Sequence, residues 1–197
     1  MQHFPAWAAR GAPSVIKPWK VLRSRKVLDD RWLTVRADAV EMPNTGAVLD
    51  PWYVLERADW VAIVALTADG HVVLTSEYRH GAGKVGLGLP GGVAEDGETP
   101  SQTAARELRE ETGYACDRWI ELGALWANWR NQTNRLHVLL GHDARLEHAP
   151  SLDVGEDIEV ALMSWDKWAT DGLIGSPQAY YVAATLMAQR WIAAQGT

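Results

Sequence analysis

The segment that most constrains the fold is a helix whose two ends can be read directly from the sequence. Thr99 can cap the first turn, Pro100 fits the first helical position where no amide donor is needed, and Gln102 completes a capping box with Thr99. Gly113 stands where a left-handed C-terminal cap is favoured. The sequence therefore predicts a helix from about Pro100 to Thr112.

Three glutamates crowd the last two turns of this helix. Glu107, Glu110 and Glu111 stand at i, i+3 and i+4, so their side chains gather on one side and repel one another. Glu110 and Glu111 also lie at the negative end of the helix dipole, where a stabilising surface would place bases. A solvated acidic face is the simplest explanation, but local rules tend to be broken at functional sites. The pattern favours a functional cluster.

The helix is entered through the turn Pro90-Gly91-Gly92. The two glycines let backbone carbonyls approach a ligand closely. Such carbonyls and clustered carboxylates are both hard oxygen ligands, which Mg²⁺ and Mn²⁺ prefer. A bound cation would also remove the repulsion among the glutamates. The residues therefore predict a divalent-cation site formed by this turn and the end of the helix.

Short apolar runs on both sides of the helix predict β-strands. Three alternating runs between Trp19 and Arg57 predict an antiparallel meander. WVAIVALT and HVVLTSEYR, joined by ADG, predict a buried hairpin in a main sheet. Further strands are predicted in RWIELGALW, NRLHVLLG and DIEVALMSW, and a closing helix from about Ser176 to Ala194. On the first helix, the stripe able to face the sheet contains Ala104, Ala105, Leu108 and Thr112.

Composition limits the partners and the compartment. The 197-residue chain has a formal net charge of −6 and no basic run, which argues against nucleic acid or an anionic membrane as the main partner. The single cysteine, Cys116, rules out an internal disulfide framework and is compatible with a reducing compartment. Neither a signal peptide nor a membrane-length apolar run is visible. We expect a soluble protein of the cytoplasm.

The region around the helix resembles a Nudix box. The matching positions are Gly92, five residues, Glu98, seven residues, Arg106-Glu107-Leu108, one residue, Glu110-Glu111, one residue, Gly113 and an apolar residue at Tyr114. SEYRHGAGKVGLGLPGG and GEDIEVALMSWDKW are similar to segments of ADP-ribose pyrophosphatases and related nucleotide-sugar hydrolases. The resemblance implies an α+β Nudix fold, a mixed β-sheet sandwiched between helices, with an N-terminal antiparallel β-rich section. It also implies divalent-metal-dependent hydrolysis of a nucleoside diphosphate linked to another group.

Carried over by position, the resemblance implies a metal site in the box. Glu107 and Glu111 would be the principal ligands of Mg²⁺ or Mn²⁺. Glu110 would share a metal or hold its water, and the carbonyl of Gly91 would complete the shell. These four residues are therefore the predicted centre of the site.

Other positions receive roles around this centre. Arg106 would orient the glutamates, and Glu98 would either bridge the box loop to the helix or contribute to the metal through water. Arg79 would clamp the substrate diphosphate, or else be a solvated charge at a strand end. Glu156 is the candidate general base, with the adjacent Asp157 as the alternative assignment and a plain surface acid as the other reading.

The sequence also predicts the organisation of the whole chain. Residues 1–18 would be an irregular arm, residues 19–57 a β-rich section and residues 58–197 the Nudix hydrolase domain. Exposed strand edges in the β-rich section predict a homodimer. ADP-ribose pyrophosphatases commonly carry a proline beyond the box where this chain reads WANWRNQTNR, so both ADP-ribose and another nucleotide sugar stay open as substrate. The alternative function is a non-catalytic Nudix-like module that senses such a nucleotide, but the intact box favours an enzyme.

Overall fold

The computed structural model describes residues 16–31, 33–172 and 178–196. The chain divides into two compact units, residues 1–57 with 130–132 and residues 58–129 with 133–197. Most of the predicted N-terminal arm and the predicted start of the closing helix at Ser176 lie outside the described residues. Residues 16–18, the end of that arm, belong to no helix or strand.

The first unit contains a three-stranded antiparallel sheet. Its strands are β1 (Lys20–Asp29), β2 (Thr34–Glu41) and β3 (Val48–Glu56), paired in that order. Gly46, with a φ of 71°, lies in the turn before β3, where a left-handed conformation is needed. The central strand buries Ala37, Ala39 and Val40, whereas every residue of β1 is exposed. The predicted antiparallel meander is confirmed.

The second unit is built on a six-stranded mixed sheet. Its strands are β4 (Trp60–Leu66), β5 (His71–Arg79), β6 (Lys84–Gly88), β8 (Arg118–Trp126), β9 (Arg135–His142) and β11 (Ile158–Ser164). They run in the order β11, β5, β4, β9, β8, and β6 pairs with the end of β5. The β4–β9 pair is parallel and the others are antiparallel. A separate two-stranded ladder joins β7 (Tyr114–Ala115) to β10 (Arg145–Leu146).

Helices cover both faces of the six-stranded sheet. They are α1 (Pro100–Thr112), a short segment α2 (Trp165–Lys167) that continues as a π-helical turn over Trp168–Gly172, and α3 (Ala179–Gln195). Strand side chains alternate between faces, so Val61, Ile63 and Val73 pack with Ala104 and Leu108 of α1, while Ala62, Val64 and Leu74 pack with Tyr181, Ala184 and Ala188 of α3. The predicted sheet between helices is confirmed. Within the residues described, no helix is long and apolar enough to cross a membrane.

Both ends of α1 form as the sequence predicts. The Thr99 side chain accepts a hydrogen bond from the Gln102 backbone, and the Gln102 side chain accepts one from the Thr99 backbone. Gly113 is left-handed with a φ of 74°, and its N–H donates to the Arg109 carbonyl at 2.8 Å. Local residue chemistry alone therefore fixes where this helix begins and ends.

The predicted stripe of α1 was wrong at one position, because Ala105 is exposed while Thr103 is buried. The buried residues are Thr103, Ala104, Glu107, Leu108, Glu111 and Thr112. With about 3.6 residues per turn, these six span one half of the helix and Ala105 falls just beyond it. Glu107 and Glu111 lie in the middle of the buried half. Two of the three glutamates are therefore held inside the protein and do not form a solvated face.

Candidate active site

The turn before the box passes close to its neighbours at both glycines, and at Gly91 only glycine fits. A Cβ on Gly91, whose φ is 150°, would lie 2.1 Å from the Val61 carbonyl oxygen. A Cβ on Gly92 would lie 2.3 Å from the Glu107 carboxylate. The Val61 N–H donates to the Gly92 carbonyl at 2.9 Å, which ties the turn to β4. The two glycines therefore let the backbone run between the sheet and the glutamates of α1.

The two buried glutamates lie close to this turn, and the charge of Glu111 in particular has little compensation. The Glu111 carboxylate accepts a hydrogen bond from the Gly91 N–H at 2.9 Å. Burial raises the pKa of Glu111 to about 8 despite that bond, and the charges of Glu107, Glu77 and Glu156 add to the rise. Burial likewise raises the pKa of Glu107, although Arg106 opposes the shift. This part of the molecule carries more negative charge than its own donors neutralise.

Arg106 connects the glutamates to the box loop. Its Nε and Nη2 donate to the two carboxylate oxygens of Glu98 at 2.9 and 3.0 Å. Its Nη1 donates to Glu107 at 2.9 Å and to Glu110 at 3.1 Å, and Nη2 also reaches the Val93 carbonyl at 3.0 Å. These partners raise the pKa of Arg106 further above its ordinary value. The geometry fits the predicted role of orienting the glutamates.

Glu98 lies in the loop and is saturated by protein donors. Besides the two bonds from Arg106, it accepts one from the Thr103 hydroxyl at 2.9 Å and one from the Glu95 N–H at 3.0 Å. The Arg106 guanidinium, followed by the Glu95 N–H, lowers the pKa of Glu98 to about 2. With its oxygens already occupied, Glu98 is placed to bridge the loop and the helix. Of the two roles that the resemblance leaves open, this geometry favours the bridge.

Glu156 reaches the cluster electrostatically from the exposed loop before β11. Its carboxylate accepts a hydrogen bond from the Asp153 N–H at 2.9 Å, which fixes the loop. Its negative charge raises the pKa of Glu77, Glu107 and Glu111. Of the two acids that the sequence leaves open, Glu156 is one that contributes to the raised pKa values of the box glutamates.

Arg79 ends β5 beside two residues that the sequence reading missed. Its Nη2 donates to the Tyr181 hydroxyl at 2.7 Å and forms an ion pair with Glu77. Burial raises the pKa of Glu77, while Arg79 opposes the shift. The two-residue period of a strand already places Glu77 and Arg79 on one face, so the pair had a visible signal. Tyr181 is 102 residues away in the sequence and had none.

The fit of a metal ion depends on the buried glutamates. In the described part of the chain, no three Asp, Glu, His or Cys side chains are arranged to hold a metal by themselves. Mg²⁺ and Mn²⁺ do not require this, because Mg²⁺ keeps several waters and takes only one or two carboxylates besides substrate phosphates. One oxygen each of Glu107 and Glu111 accepts no hydrogen bond from the described residues. With the excess negative charge around them, Glu107 and Glu111 fit a divalent cation.

A cavity of about 580 Å³ lies in a different part of the second unit. Its lining comes from the end of β4, the β4–β5 turn, β8, β9, α2 and α3, and includes Leu66, Arg118, His142, Trp165 and Trp191. None of the predicted site residues lines it. The cavity is therefore distinct from the predicted site.

Comparison with known families agrees with this geometry. Residues 56–181 match the family described as "NUDIX domain", and residues 19–55 match "Nucleoside diphosphate sugar hydrolase N-terminal domain". A mixed sheet between helices, carrying this box, defines a Nudix hydrolase. The chain belongs to the Nudix family, and the resemblance read from the sequence is confirmed.

Individual relatives extend the match to much of the chain. A methanol dehydrogenase activator of Bacillus methanolicus is 29% identical over 150 residues, covering 75% of this chain and 80% of the relative. An ADP-ribose pyrophosphatase of Bacillus subtilis is 28% identical over 142 residues, covering 72% and 76%. The crystal structure of an ADP compounds hydrolase superposes with a TM-score of 0.83 at 23% identity, covering 93% of this chain and 98% of that one. The last comparison establishes the fold.

Proposed function

We propose that this protein hydrolyses the diphosphate bond of a nucleoside diphosphate linked to a sugar, using Mg²⁺ or Mn²⁺. ADP-ribose is the first candidate substrate, and its products would be AMP and ribose 5-phosphate. Two observations on relatives support this substrate class: the Bacillus subtilis relative is an ADP-ribose pyrophosphatase, and residues 19–55 match a domain of nucleoside diphosphate sugar hydrolases.

One structural observation carries the proposal more than any other. Glu107 and Glu111 are buried beside Gly91, their pKa values are raised, and each keeps a carboxylate oxygen without a protein donor. Buried carboxylates whose charge is only partly compensated are costly and point to a functional reason. A cation that carries a diphosphate would supply both the missing charge and the reason.

In the proposed reaction, each residue has a separate task. Glu107, Glu111 and the Gly91 carbonyl would hold the cation, which when bound neutralises the diphosphate and makes a water more acidic. Arg79 would bind the diphosphate oxygens through its donors. Glu156 would accept a proton from the attacking water. The oxygen of that water bonds to phosphorus while the bond between phosphorus and the bridging oxygen breaks.

Arg106 and Glu98 would take no part in bond breaking. Arg106 would hold Glu107 and Glu110 in the ligating orientation, and Glu98 would hold Arg106. Such supporting contacts fix the geometry of ligands without touching the reacting atoms. Glu110, which is half-buried and bonded to Arg106, would hold a metal-bound water.

A substrate panel tests the proposal. ADP-ribose, other ADP-sugars and sugars linked to other nucleoside diphosphates would be incubated with Mg²⁺, with Mn²⁺ and with EDTA, and the released nucleoside monophosphate measured. We expect metal-dependent release from at least one of them and none with EDTA. Tight binding of a nucleotide sugar without turnover in either metal would instead support the sensor alternative.

We also propose that the protein is a homodimer formed through its first unit. All ten residues of β1 are exposed, including the apolar side chains of Val21, Leu22, Val27 and Leu28. An exposed edge strand with apolar side chains is normally covered by a partner. We propose that a second copy of the chain is this partner.

Light scattering tests the dimer. We expect the mass of two chains for the wild type and of one chain for Leu22→Lys, which places a charge on β1. Leu146→Lys is the control, since Leu146 is also exposed but lies in the second unit. A wild-type protein that is fully active at the mass of one chain would contradict the proposal.

A further inference from the structure

The guanidinium of Arg79 is held by two acceptors of different character. The Glu77 carboxylate forms an ion pair with Nη2, and its Oε1 makes no well-formed hydrogen bond in the described part of the chain. The Tyr181 hydroxyl accepts a hydrogen bond from the same nitrogen at 2.7 Å. Tyr181 therefore gives Arg79 a well-formed hydrogen bond in addition to the ion pair with Glu77.

The position of the Tyr181 hydroxyl is fixed by packing. Tyr181 lies on α3, is only 4% exposed and belongs to the core on that face of the sheet. Its ring lies against Gly88 of β6, where an added Cβ would be 2.3 Å from a ring carbon. Gly88 in turn pairs with Thr75 of β5, the strand that carries Arg79. A glycine on the strand leading into the box thus makes room for the ring that holds Arg79.

The neutral phenol suits this task better than a second carboxylate would. Burial raises the pKa of Tyr181, so the phenol stays protonated and accepts the hydrogen bond without a charge. A carboxylate orients a guanidinium and also cancels its charge, which weakens its attraction for phosphate. The phenol orients Arg79 without adding a second negative charge to that of Glu77. Within the described residues, neither Nε nor Nη1 of Arg79 donates a hydrogen bond, so the donors of both are available.

We infer that Tyr181 is a positioning residue for substrate binding: it holds the Arg79 guanidinium so that its remaining donors face the diphosphate. This inference rests on the proposed function and adds to it a residue from α3, outside the box. Its effect is on the binding of the substrate, because Arg79 contacts the diphosphate both before and during the reaction. KM should therefore respond more than kcat.

The decisive variant is Tyr181→Phe, which removes one oxygen and keeps the ring. We expect KM for the best substrate to rise about tenfold, the scale of a hydrogen bond to a charged group, with kcat changed less than about twofold. Tyr180→Phe is the matched control, because Tyr180 is the adjacent residue and packs on Trp60 through its ring. It should leave both constants unchanged. An unchanged KM in Tyr181→Phe would overturn the inference.

A double variant separates positioning from a general effect on the fold. If Tyr181 acts through Arg79, Tyr181→Phe should add almost nothing to KM once Arg79→Ala is present. Arg79→Ala alone should lower kcat/KM by about 10- to 100-fold, as expected for loss of a charge-assisted contact. A tenfold effect of Tyr181→Phe that persists in the Arg79→Ala background would show that the hydroxyl acts elsewhere and would overturn the inference.

Binding measurements distinguish failure of this inference from failure of the proposed function. The probe is the best substrate, or ADP-ribose if none is hydrolysed, with a methylene group in place of the bridging oxygen. Calorimetry should give a Kd about tenfold weaker for Tyr181→Phe than for wild type. Equal Kd values would overturn the inference while an active wild type leaves the proposed function standing. A wild type that binds the analogue but hydrolyses nothing would overturn only the hydrolase, and one that does neither would overturn both.

Discussion

The box loop and the last turns of α1 hold the same residue type in opposite states. In the loop, Glu98 accepts four hydrogen bonds and its pKa is lowered to about 2. In the helix, Glu111 accepts one hydrogen bond, from Gly91, and its pKa is raised to about 8. The difference arises from the number of donors and the depth of burial, because both residues are glutamates of one short segment.

The contrast distinguishes a glutamate that stabilises the loop from glutamates that are available to bind a ligand. A carboxylate whose oxygens are filled by Arg106, Thr103 and Glu95 strengthens the loop and has little capacity left for a ligand. A buried carboxylate with a free oxygen destabilises the fold until a cation or proton arrives. The contacts of Glu98 stabilise the loop, and this offsets the cost of keeping the buried glutamates at the end of α1 available for binding.

The largest effect is expected from Glu111→Gln, which removes the charge and keeps the shape. Loss of a principal metal ligand should lower kcat by orders of magnitude, at least the roughly 10³-fold that one electrostatic group in an active site supplies. The metal-free variant should melt at a slightly higher temperature than wild type, because like-charge repulsion is relieved. Turnover and thermal unfolding, each with and without Mg²⁺, measure both effects.

Glu159→Gln is the control for this variant, since Glu159 is exposed on β11 and has no ion pair among the described residues. It should change neither activity nor melting temperature. A fully active Glu111→Gln protein, or a wild-type activity that chelator does not reduce, would show that the end of α1 is only an acidic surface. The functional contrast with Glu98 would then be wrong.

Glu156→Gln should have the next largest effect. Loss of a general base lowers kcat by about 10²- to 10⁴-fold. Asp157→Asn, which removes a charge from the adjacent residue, should change kcat by less than about twofold. The pair of variants decides between the two acids, and equal losses in both would show that the loop acts through its total charge instead.

Glu98→Gln should be milder than either. The amide keeps the size of the side chain but weakens its hold on Arg106, and loss of a supporting contact of this kind costs about 10- to 100-fold in activity or metal affinity. The measurements are kcat and the Mg²⁺ concentration at half-maximal activity. If Glu98→Gln is as damaging as Glu111→Gln, then Glu98 ligates the metal directly and the division between loop and helix end is wrong.

The smallest predicted effect is on the pH dependence of stability, to which Glu98 and Glu111 contribute in opposite directions. The folded pKa of Glu98 lies below its ordinary value of 4.5, so its contribution is present above pH 4.5 and is lost as pH falls toward 2. The folded pKa of Glu111 lies above 4.5, so its contribution is present below pH 4.5 and is lost as pH rises through about 8. Without metal, these two groups together favour stability near pH 4.5 to 5.

Melting temperatures from pH 3 to 9 in EDTA test this prediction. Relative to wild type, Glu111→Gln should gain most above pH 7, and Glu98→Gln should lose most above pH 5. Adding Mg²⁺ should stabilise the wild type on the alkaline side and leave the acid side unchanged. Parallel curves for wild type and Glu111→Gln would show that the Glu111 carboxyl is not perturbed.

The sequence determined those features that depend on neighbouring residues. The ends of α1 follow from Thr99, Gln102 and Gly113, whose hydrogen bonds and conformations are local. Strand periodicity likewise predicted the antiparallel meander, β4, β5, β8, β9 and β11. The spacing of the box placed Glu107 and Glu111 on α1 and identified the family before the fold was known.

The tertiary structure decided what depends on distant partners. β6 was not among the predicted strands, because its pairing with β5 is not visible in KVGLG. Ala105 proved exposed while the glutamates were buried, because the angle at which α1 meets the sheet is set by packing and not by the helix itself. The division of tasks between Glu98 and Glu111, and the contact of Tyr181 with Arg79 across 102 residues, arise only when separate elements are brought together. Burial and long-range charge set these properties, and neither is encoded in any one segment of the chain.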